Sequence, residues 1–68
     1  MQTTQTPARI LRIQSVSEMT GMAIPTIYLN ARLGTFPKQI KLGPRAAGWI
    51  ASEVQAWIDE RVRASRGQ

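Results

Sequence analysis

Apolar and polar positions alternate between two periods along this chain, and the changes of period mark its elements. Ile10-Leu11-Arg12-Ile13 is a short apolar run that predicts a strand. Ser15-Val16-Ser17-Glu18 fits a capping box, with Ser15 as N-cap and Glu18 reaching back to it. A short helix should follow, with Val16 and Met19 inward and Gly21 as its left-handed stop. Ile24, Ile27, Tyr28 and Ala31 recur at helical spacing and predict a second helix with these four toward the core. Pro25 suits its first turn, where a missing N–H costs nothing, and Gly34 should end it. Pro25, Thr26, Leu29, Asn30 and Arg32 then lie outward or at the flanks. Two short helices joined by a tight turn make a helix-turn-helix, whose second helix can enter a DNA major groove.

Phe36-Pro37 breaks the helical pattern. Lys38-Gln39-Ile40-Lys41-Leu42 is close to alternating, so Ile40 and Leu42 should face in while Gln39 and Lys41 face out. Gly43-Pro44 is a turn signal, with Arg45 beside it, and Ala46-Ala47-Gly48-Trp49-Ile50 can return as the partner strand. The result is a hairpin with a basic tip, a wing. A last helix is predicted from about Ser52 to about Ala64, with Ile50, Val54, Trp57, Ile58 and Val62 as its apolar stripe. Glu53 early and Arg61 and Arg63 late suit the helix dipole, and Asp59–Arg63 has the spacing of an i, i+4 pair. Trp49 and Trp57 fall on inward apolar patterns and read as core residues rather than base-stacking platforms.

At 68 residues the chain allows one domain with a thin core. Met1 to Ala8 is polar and closed by Pro7, and reads as a disordered leader ahead of a domain over 9–64 and a frayed tail over 65–68. Cysteine and histidine are absent. That removes disulfides, thiolate or imidazole metal sites, and Cys or His catalysis. Four scattered carboxylates make no acid/base pair, and there is no Gly-rich phosphate loop motif. The expectation is a non-enzyme without cofactor, metal or small-molecule effector. No apolar run reaches transmembrane length and the start lacks a signal-peptide core, which gives a cytoplasmic expectation.

Charge changes the picture most. Nine Lys or Arg against four Asp or Glu leave a formal net charge of +5, with an isoelectric point near 11.3. Residues 19–52 contain no acid, yet carry Arg32, Lys38, Lys41 and Arg45. Most of the surplus therefore lies on the second helix and the wing, the footprint of a polyanion binder.

The order Ile10-Leu11-Arg12-Ile13, Thr20-Gly21, Thr26-Ile27-Tyr28, Gly34, Phe36-Pro37-Lys38, Lys41-Leu42-Gly43, Arg45, Gly48-Trp49, Ser52-Glu53-Val54 and Trp57-Ile58 resembles the AlpA family of prophage-associated transcriptional regulators. These are relatives of phage excisionases and of the MerR-type winged-helix domain. The resemblance covers about residues 10–61. It implies a mainly α winged helix-turn-helix, three helices plus a wing, that binds double-stranded DNA. It places Thr26 and Tyr28 at the DNA face and Lys38, Lys41 and Arg45 in the wing. The sequence departs from the family pattern on the second helix. Ala23-Ile24-Pro25 stands where Ser-Arg-Ser is common, and Leu29 stands where Arg is usual. Two major-groove cations are thus replaced by apolar side chains, although Asn30 could read adenine and Leu29 a thymine methyl.

The DNA-contact candidates are therefore Pro25, Thr26, Tyr28, Leu29, Asn30, Arg32, Lys38, Lys41 and Arg45. The leading expectation is a positive regulator of prophage or phage-derived genes. One alternative is an activator or antiterminator whose main partner is RNA polymerase. Another is an excisionase-like factor that bends DNA beside a recombinase. RNA binding fits less well, because no aromatic strand platform is present. No heptad extension follows the last helix, so a monomer in solution, cooperative along DNA, is expected.

Overall fold

A computed structural model describes residues 9–67; the expected leader over 1–8 lies outside the described residues. The elements are β1 (Ile10–Leu11), α1 (Ile13–Thr20), α2 (Ile24–Leu33), β2 (Ile40–Gly43), β3 (Ala46–Ile50) and α3 (Ala51–Arg66). The three strands form one antiparallel sheet in the order β1-β3-β2. Ile10 and Leu11 pair with Ile50 and Trp49, and Ile40 and Lys41 pair with Gly48 and Ala47. The fold is thus mainly helical, with a small sheet at its centre.

The core is Leu11, Val16, Ile27, Phe36, Trp49 and Val54, so every helix and two of the strands contribute to it. Ile13, Met22, Ala51, Trp57 and Ile58 pack around these. Trp49 is the largest fully buried side chain. Its indole N–H donates to the Pro37 carbonyl at 2.8 Å, which satisfies the one polar atom the ring brings inside.

Gly48 shows how tightly β1 lies on β3. A Cβ there would stand 2.5 Å from Ile10 Cγ2 and 2.7 Å from the Leu11 carbonyl oxygen. Only glycine lets the two strands approach this closely.

The structure alters several expectations. The predicted strand stops at Leu11, because α1 already begins at Ile13 with extended Arg12 as N-cap and no side-chain cap bond. Ser15 is therefore inside the helix and the Ser15–Glu18 capping box is not formed. Starting early lets Ile13 and Val16 both reach the core at i, i+3 spacing. Met19 is exposed rather than inward, while Met22 of the following turn packs against the core. Leu42 is 50% exposed. Lys41 opposes Ala47 while Gly43 opposes Ala46, so Leu42 is the extra residue of a bulge and the alternation fails there. Tyr28 is 43% exposed, at the core's edge rather than within it. Val62 is exposed because the core ends at Ile58 and the later turns of α3 stand clear of it. Glu60 rather than Asp59 meets Arg63, at 4.0 Å, while Asp59 accepts from Gln55 at 3.0 Å.

Candidate nucleic-acid interface

Three residues, Gly21, Met22 and Ala23, join α1 to α2, and side chains fix this turn. Gly21 has φ 75°, the left-handed value that suits glycine, and its N–H donates to the Ser17 carbonyl at 2.8 Å. The Thr20 hydroxyl donates to the Val16 carbonyl at 2.8 Å and accepts from the Met22 N–H at 3.2 Å. The Ser17 hydroxyl donates to the Met22 carbonyl at 2.7 Å. The angle between α1 and α2 is therefore set by hydrogen bonds as well as by Val16 and Ile27 in the core.

Helix α2 buries Ile27 and Ala31. At about 100° per residue, Leu29 points directly away from that buried pair, with Pro25 and Leu33 within about 40° of it. Arg32 and Thr26 flank this centre on opposite sides. Leu29 and Leu33 are 48% and 65% exposed. Pro25, Thr26 and Arg32 are exposed as well, and Asn30 is half-buried. The Asn30 carbonyl accepts from the Thr35 N–H at 2.9 Å and from the Thr35 hydroxyl at 3.3 Å, closing the helix end with Gly34 at φ 86°.

Tyr28 forms the seam between α2 and the hairpin. Its ring lies 5.9 Å from that of Trp49, tilted by 51°. Trp49 in turn holds Pro37, so the chain leaving α2 and the strand β3 are tied through one side chain. Lys38, Lys41 and Arg45 are exposed on the connection, on β2 and on the hairpin turn. Among the described residues the one ion pair is Arg63–Glu60 on α3. Arg32, Lys38, Lys41 and Arg45 therefore stand in an acid-free half of the chain with no carboxylate answering them.

All nine singled-out residues thus fall on α2, the hairpin or the link between them. The structure brings Pro25, Leu29 and Arg32 onto one outward face and puts Tyr28 at its edge beside the hairpin. Leu33 completes that face and was not singled out by periodicity. Its i, i+4 spacing from Leu29 is the signal that could have found it.

A family model described as the prophage CP4-57 regulatory protein AlpA matches residues 9–62. The chain belongs to the AlpA family. It is 43% identical over 61 residues to a protein of Escherichia coli strain K12 named DNA-binding transcriptional activator AlpA, covering 81% of this chain and 87% of that protein. It is also 40% identical over 57 residues to uncharacterized protein ORF88 of Enterobacteria phage P4. That match covers 84% of this chain and 65% of the phage protein. No solved structure matches the chain. The AlpA match begins one residue before β1 and ends four residues before the end of α3, so it takes in every element, with α3 in part.

Proposed function

We propose that this protein is a small DNA-binding transcriptional regulator of the AlpA type, acting as a positive regulator of prophage or phage-derived genes. It holds duplex DNA as a winged helix-turn-helix. Helix α2 enters the major groove, and the β2–β3 hairpin is the wing that carries Lys41 and Arg45 to the phosphates. The observation that carries this reading is the 43% identity to a protein named DNA-binding transcriptional activator AlpA, over 81% of the chain. The unanswered cations on α2 and the hairpin supply the matching electrostatics.

Binding-site selection from random duplexes, at stated salt, is the direct test. An enriched site bound with a steep salt dependence is expected, and recovery of no duplex at low salt would reject the reading. Replacing Arg45 with Ala should then weaken binding to every sequence alike and flatten the log-log salt slope by about one. An unchanged slope would remove the hairpin from the interface.

A further inference from the structure

The outward centre of α2 is apolar where a DNA-reading helix would most often present Arg or Lys. We propose that α2 reads methyl groups: Pro25, Leu29 and Leu33 seat against thymine C5-methyls in the major groove. Sites with thymines under this face are then preferred. This rests on the DNA-binding reading and names what that surface selects.

Three observations carry it. First, the face is built for apolar contact. Leu29 and Leu33, one turn apart, are 48% and 65% exposed, and Pro25 continues the same line one turn earlier. No hydrogen-bond donor side chain lies at its centre, so bidentate contacts to guanine are unavailable there. Among the base pairs only those with thymine offer an apolar group in the major groove.

Second, the surroundings choose the occupant. The stripe lies within an acid-free stretch, with Arg32 and, beyond Tyr28, the basic hairpin along one flank and uncharged Thr26 and Asn30 along the other. A second copy packed on this face would bring Arg32 and the same surplus charge against themselves. A protein partner would need far more surface, since a standard interface takes about 20–30 residues a side. A polyanion that also displays methyl groups satisfies both chemistries at once.

Third, the spacing fits. Residues four apart on a helix are separated by about 6 Å of rise, against about 3.4 Å per base pair. Leu29 and Leu33 would therefore meet methyls on neighbouring or next-but-one pairs.

The test uses the selected duplex and versions with each thymine replaced in turn by deoxyuridine, which removes only the methyl. Wild type should lose about fourfold in affinity at one to three positions, the worth of one buried methyl-sized group. Leu29→Ala and Leu33→Ala should each erase that loss at their own position and leave the salt slope unchanged. Both residues are exposed, so circular dichroism and melting should report an intact fold. Arg45→Ala should weaken thymine and uracil duplexes equally. The proposal falls if uracil costs nothing at every position, or if its cost persists undiminished in both leucine variants. It also falls if the leucine variants lose regulation while keeping full DNA affinity, which would make the stripe a protein-binding surface. Absence of salt-dependent binding to any duplex would instead overturn the DNA-binding reading beneath it.

Discussion

Helices α2 and α3 both lay one face on the same core, through Ile27 and Val54, and differ in what they turn outward. The outer side of α3 serves its own helix. Glu53 lies in the first turn and Arg63 and Arg66 in the last, which suits the dipole. Gln55 donates to Asp59, Arg63 meets Glu60, and the Arg61 guanidinium sits 4.9 Å over the Trp57 ring. Helix α2 is ten residues long, has no acid, and has Ala23 as its N-cap, with no side-chain cap bond. On its outer face only Pro25 in the first turn and Arg32 in the last turn suit the helix, with no side-chain pair between them. A helix this short is marginal alone, so α2 is held by Ile27, by its turn with α1 and by the Tyr28–Trp49 seam. The difference teaches that the outer surface of α3 is knitted by side-chain pairs, whereas the centre of that of α2, Leu29 and Leu33, is left free of them.

The contrast can be broken most severely at the seam. Trp49→Ala should cost about 3–5 kcal/mol through the cavity, with a further loss from the orphaned Pro37 carbonyl. Denaturant titration should show a large drop in midpoint; a drop no greater than that of a surface variant would mean the seam does not hold α2. Gly48→Ala comes next. Its Cβ must push β1 from β3, at about 1–3 kcal/mol, and thermal melting should register it without a change in the salt slope of DNA binding. Ala23→Ser would make α2 more like α3. Ala23 has φ −66° and ψ 147°, right for an N-cap, and the new hydroxyl could accept from the Thr26 N–H. About 1 kcal/mol of added stability is expected, and none would show that the α1–α2 turn already limits this end. The smallest effect belongs to Arg63→Ala. The pair is about three-quarters exposed on both sides, so less than about 0.5 kcal/mol should change, with DNA affinity nearly unmoved.

Much of the fold was legible because local signals and packing agree. Gly21 and Gly34 end α1 and α2 where the periodicity stops, both at positive φ. Gly43-Pro44 turns the hairpin, and β3 lies where its apolar run predicted. The misreadings share one cause. Ser15, Met19, Leu42 and Val62 each obey a local rule that the placement and extent of the packed core and sheet override. Early packing of Ile13 displaces the cap, Met22 rather than Met19 packs on the core, a bulge releases Leu42, and the end of the core strands Val62. In the candidate interface, the residue types, the acid-free charge and the outward side of α2 were readable, whereas the exposure of Tyr28 and its contact with Trp49 were not. Leu33 belongs to that side by its i, i+4 spacing from Leu29, and the structure shows it 65% exposed.

The sequence alone determined the elements, their breaks and the sign of the surface, because periodicity, glycine and net charge are local or additive. Tertiary structure decided which apolar side chains stay outside. That choice depends on where the small core runs out, and among the described residues a core of seven buried hydrophobic side chains runs out before every predicted inward position is used.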